Sequence, residues 1–134
     1  MDDSGFPRDR LAVAMKWSPK IPARLFPVGG GVVLKDCGAM ELADDEQVTL
    51  TTPSGTEFDV VRKSWGYYGT PSLNGRLPQK GLRPVLGKNA EDKYFLWLVE
   101  RGKEAEFETY LKEHGLVAVV RLDEPADLRR LEGG

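Results

Sequence analysis

The chain has 134 residues, 40% apolar and 30% charged, with a net charge of -2. That is the size and balance of one domain able to bury a core, and it excludes the uniformly basic surface of a protein built chiefly to hold duplex nucleic acid. A single cysteine, Cys37, excludes an internal disulfide framework and a cysteine-rich zinc site, and a single histidine, His114, excludes an imidazole-rich one.

Residues 1–23 show no sustained periodicity and are punctuated by Pro7, Pro19 and Pro22, which predicts a mobile or loosely docked arm with one helical turn at Leu11 to Met15. The apolar run Leu11 to Met15 is too short for a signal-peptide core or a membrane span, so a cytoplasmic protein with no membrane partner is expected. Trp17 is expected to anchor the arm into a groove of its own domain, because so large an apolar surface is costly to leave wet.

A single domain is expected over residues 24–122. Val32 to Leu34 and Ala39 to Leu42 are short strand candidates, and Gly29, Gly30 and Gly31 before them suggest a bulge or a close backbone approach. Gln47 to Thr52 and Thr56 to Arg62 alternate apolar and polar residues around Pro53-Ser54-Gly55, which predicts a hairpin. Ser64 to Lys80 reads as a structureless loop stiffened by proline and carrying its own packing groups. Leu82 to Gly87 is a weaker strand that Pro84 pushes to an edge or bulge. Tyr94 to Val99, apolar on both faces, predicts a central strand covered on each side.

Phe107, Tyr110, Leu111 and His114 recur at helical spacing, predicting a helix from about Lys103 to His114 that Gly115 ends. Leu116 to Leu122 is another buried strand. Residues 123–134 form a polar frayed tail with a short helix at Ala126 to Leu131. The fold class is therefore α+β: a curled antiparallel or mixed sheet, small, open and barrel-like, with one main helix near the C-terminus and a β-β-α-β ending. Strands 93–99 and 116–122 can run parallel through the helix without being neighbours.

Charge is segregated. Asp36, Glu41, Asp44, Asp45, Glu46, Glu57 and Asp59 give 36–59 a charge of -7, and Arg62, Lys63, Arg76, Lys80, Arg83 and Lys88 then give the next stretch +6. Either neighbouring strands pair these charges across a sheet, or the protein has opposed cationic and anionic faces.

Catalytic signatures fail on spacing. Gly29-Gly30-Gly31 lacks the third glycine of a dinucleotide fingerprint and leads into a strand where a helix is required. Gly81 and Gly87-Lys88-Asn89 miss the phosphate-loop spacing, and Asn89 stands where Ser or Thr would hold magnesium. No Gly-x-Ser-x-Gly elbow exposes a nucleophile, and His114 and Cys37 read as packing residues. Asp44, Asp45 and Glu46 lack the alternating ligands of a calcium loop and read as a turn cap. No cofactor or metal is expected.

The 64–80 segment remains. Trp65, Tyr67 and Tyr68 can stack on a base or sugar, while Arg62, Lys63, Arg76, Lys80 and Arg83, with Asn74, can hold a phosphate, sulfate or carboxylate. The alternative is that these rings plug the core. The leading expectation is a small non-catalytic binding domain for an anionic partner, whether nucleic acid, glycan, phosphorylated small molecule or acidic protein. The alternatives are a small enzyme or enzyme subunit acting on a phosphorylated or nucleotide-linked small molecule, and a salt-sensitive homo-oligomer joined through its charged faces.

Overall fold

The computed structural model describes residues 15–133. Among them the strands form three antiparallel sheets, and these do not close into a barrel. The first sheet pairs β1 (Lys16–Pro27) with β2 (Val33–Glu41). The second has the order β3 (Gln47–Thr51), β4 (Glu57–Lys63), β5 (Gly66–Gly69). In the third, β6 (Leu82–Lys88) lies between β7 (Tyr94–Glu100) and β8 (Val117–Arg121).

Helix α1 (Arg76–Gln79) precedes β6, α2 (Glu104–Glu113) connects β7 to β8, and α3 (Pro125–Gly133) follows β8. The sheet-rich α+β class agrees with the sequence; in place of one curled, open, barrel-like sheet there are three separate sheets. No helix among the described residues is long and apolar enough to cross a membrane.

Several local expectations change. Residues 16–23, read as part of an arm, lie in β1 and pair with β2 from Lys16↔Glu41 onward. Their prolines are tolerated because the register breaks between Pro19 and Arg24, so the missing N–H groups interrupt no continuous ladder. The helical turn expected at Leu11 to Met15 falls outside the described residues apart from Met15, which is not helical. Trp17 finds no groove: it is half-exposed and lies over Gly38 of its own hairpin. The two short strand candidates of residues 32–42 are one strand, with Cys37 exposed in it, so the thiol is not a core residue.

The glycine run makes the β1–β2 turn and brings Gly30 so close to His114 that a Cβ there would strike the imidazole. That is the close backbone approach that the sequence suggested. The tail forms α3, and its Asp127 carboxylate accepts the Arg121 backbone N–H at 2.8 Å.

The larger revision concerns strand order. Pro84 was expected to push its strand to an edge, yet β6 is central and Pro84 is among its most buried residues. The Pro84 carbonyl accepts the Leu122 N–H at 3.0 Å, so Pro84 turns its backbone toward β8 just past Arg121, where that ladder ends and no donor is missed. Conversely β7, expected to be central, is an edge strand among the described residues. Strands β7 and β8 are both antiparallel to β6, hence parallel to each other and not neighbours.

The core sits around β6. Leu77, Leu82, Val85, Val99, Leu111 and Val120 are buried there, and α2 covers one face by setting Phe107 edge-on to Trp97 at 5.5 Å. Glu100 ties the third sheet to the second: its carboxylate accepts the Ser54 hydroxyl at 2.8 Å and pairs with Lys103 at 2.9 Å. Hydroxyls of Thr52 and Ser54 together with Lys103 hold its acid down to about 2.

Candidate functional site

The segment read as a structureless loop contains β5 and α1. Strand β4 reverses through Ser64 and Trp65 alone, since Lys63 pairs directly with Gly66. Gly66 at φ 143 supplies a backbone angle that a side chain resists, which lets the chain turn back immediately after Trp65. Trp65 is therefore carried on the hairpin tip, 69% exposed, and its ring stacks on Tyr68 at 6.0 Å and 27°.

Farther on, the Ser72 hydroxyl accepts the Arg76 N–H at 3.0 Å and starts α1. This short helix drives Leu77 to complete burial. The plug that the sequence assigned to the rings is thus Leu77, and Pro71 is buried as well, while Tyr67 and Tyr68 remain exposed.

Register decides which predicted site residues share a face. Partners in an antiparallel ladder point to the same side and successive residues to opposite sides. Tyr68 lies opposite Val61 and Tyr67 opposite Arg62, so the tyrosines face opposite ways. On the Tyr68 side, β4 presents Glu57, Asp59, Val61 and Lys63 in sequence. Lys80 pairs with Glu57 at 3.6 Å, Arg76 with Asp59 at 3.8 Å, and Lys63 with Asp45.

One face of the second sheet therefore collects Lys63, Trp65, Tyr68, Arg76 and Lys80. On the other face, Arg62 lies 5.8 Å from the Tyr67 ring and spends its guanidinium on the Leu42 and Lys63 carbonyls at 3.0 and 2.8 Å, tying β4 to the segment just after β2. Asn74 is exposed in the connection before α1. Arg83 lies elsewhere, on the α2 side of the third sheet, held by Asp123, Glu124 and Glu104 at 2.8, 2.8 and 3.6 Å.

The acids that accompany the cations are the part of this surface that spacing alone could not assign, although the sign reversal at Arg62 signalled them. Three of the basic residues find partners in the preceding acidic segment. The Asp45 carboxylate, hydrogen-bonded to Lys63, holds that ammonium above its ordinary value. Asp123 does the same for Arg83. The pairs of Arg76 and Lys80 are loose and half-exposed, and such pairs contribute only about 0 to 1 kcal/mol, so an incoming anion can compete for both cations.

Among the described residues no three His, Cys, Asp or Glu cluster so as to hold a metal ion. Comparison with known protein families, curated proteins and solved structures gave no match.

Proposed function

We propose that this chain is a non-catalytic binding domain that presents the face bearing Lys63, Trp65, Tyr68, Arg76 and Lys80 to an anionic partner with a planar group. The observation that carries the reading is the exposed Trp65 ring, held on a two-residue turn and stacked on Tyr68. A tryptophan left this wet is costly unless something covers it, and its partner ring makes a preformed platform.

Three cations and three carboxylates balance along this face, so stacking supplies most of the affinity and the cations orient the anion. Stacking contributes about 1 to 3 kcal/mol per base on such platforms. Binding should consequently weaken with salt far less than it does for a protein that neutralises many phosphates.

The test is a titration of the intact chain with single-stranded RNA, a heparin fragment and a sugar nucleotide, each at two salt concentrations. Trp65→Ala should abolish binding while the melting temperature stays within a degree or two of the parent. Retained affinity in that variant would refute the assignment. Heparin binding without RNA or nucleotide binding would refute the planar-group component.

A further inference from the structure

Gly30, in the turn between β1 and β2, lies where a Cβ would strike Cε1 of His114, so the missing side chain lets the turn seat directly on the imidazole. Beside that contact is a cavity of about 330 Å³. Val32 and Leu34 line it from the turn and the start of β2, Phe95 and Trp97 from β7, and Tyr110 and His114 from the end of α2. Its walls therefore come from the first sheet on one side and from the third sheet with its helix on the other.

The lining limits what can enter. No Lys, Arg, Asp or Glu contributes to it, so an ionised molecule would give up its hydration for at most one imidazole, and a neutral one is favoured. The rings of Phe95 and Trp97 stack at 27°, and the Tyr110 ring lies 4.5 Å from the imidazole, which offers faces and edges to a planar molecule. Val32, Leu34 and Phe95 are 38%, 45% and 43% exposed, so apolar surface stands wet at the mouth and covering it supplies the driving force. Neither the His114 imidazole nor the Tyr110 hydroxyl makes a hydrogen bond among the described residues, which leaves both open to a polar group of the ligand.

Volume sets the size. An apolar cavity of about 150 Å³ holds one benzene ring. This one is roughly twice as large, at the lower end of the range that small-molecule sites occupy. We propose that it binds a neutral, planar molecule of about two fused rings that turns one hydroxyl or N–H group toward His114.

Because the two walls belong to different sheets, an occupant touches both and holds the β1–β2 turn against β7 and α2. The cavity shares no residue with the face that carries Trp65, so either reading can fail and leave the other standing.

The test is a ¹⁵N and ¹³C magnetic resonance titration of the full chain with 2-naphthol, naphthalene and 2-naphthoate as probes. 2-Naphthol should shift the Trp97 indole, the His114 imidazole and the amides of residues 29–32 together, while the Trp65 indole stays still. 2-Naphthoate should bind about tenfold more weakly or worse, because its charge is left uncompensated. His114→Phe keeps a ring in place and should remove the advantage of 2-naphthol over naphthalene, about tenfold, without weakening naphthalene. Leu34→Trp fills the cavity from a half-exposed position and should abolish binding of all three, with amide shifts away from the cavity unchanged. A Trp97 indole that no probe moves, or affinity that survives Leu34→Trp, would overturn the site. Naphthoate binding as tight as that of naphthol would overturn the neutral class, and a naphthol advantage that survives His114→Phe would overturn the role given to the imidazole.

Discussion

Trp65 and Trp97 are opposite in structural role. Each has a ring stacked beside it at 6.0 Å, Tyr68 for Trp65 and Phe95 for Trp97. Trp97, however, is closed from α2 by Phe107 and lies against Gly87 of the central strand, where a Cβ would collide with its ring. Trp65 has no such lid and stands on a turn. The difference teaches that a tryptophan's role here is set by what the next element brings over it: α2 folds back over Trp97, whereas α1 buries Leu77 and leaves Trp65 in water.

The comparison breaks most sharply under truncation. Trp97→Ala should destabilise the fold by about 2 to 4 kcal/mol, read by urea or thermal unfolding, because it removes a half-buried ring packed against Gly87, Phe95 and Phe107. Arg83→Ala should cost about 1 to 3 kcal/mol, since it strips the partner from Asp123, whose carboxylate is almost entirely buried and whose Oδ1 accepts no hydrogen bond among the described residues. Arg76→Ala should stay within about 0.5 kcal/mol while weakening binding, because its pair with Asp59 is loose and half-exposed.

Acid sharpens the same contrast from the other side. Glu100 has its pKa lowered from 4.5 to about 2 by contacts that join the second sheet to the third. Its contribution is therefore present above pH 4.5 and is lost as pH falls toward 2. Melting curves between those limits should show a drop that Glu100→Gln lacks. An equal drop in the variant would assign the acid sensitivity elsewhere.

Local patterns were legible in the sequence because they depend on neighbours in the chain. The alternation through Val48, Leu50, Phe58 and Val60 marks the β3–β4 hairpin, and the stripe of Phe107, Tyr110, Leu111 and His114 marks α2. Strand position within a sheet was not legible. Apolarity on both faces of β7 looks the same whether the chain itself buries them or leaves them at an edge, and Pro84 is admissible in a central strand only because one rung of β8 is missing beside it.

The candidate site was legible in its ingredients but not in its arrangement. That Trp65 and Tyr68 share a face while Tyr67 turns away follows from the length of one turn, and a single added residue would reverse it. Arg83 sits in the same basic stretch as Lys80 but three residues on, within a strand of a different sheet, so continuity of charge along the sequence did not become continuity on the surface.

The most direct measurement is a ¹⁵N amide and indole titration of the intact chain with short single-stranded RNA and with a sugar nucleotide, using the Trp97 indole as an internal reference. The account predicts that the Trp65 indole and the amides of residues 63–69 shift together while Trp97 stays still. A stationary Trp65 with every ligand, or equal movement of both indoles, would contradict it.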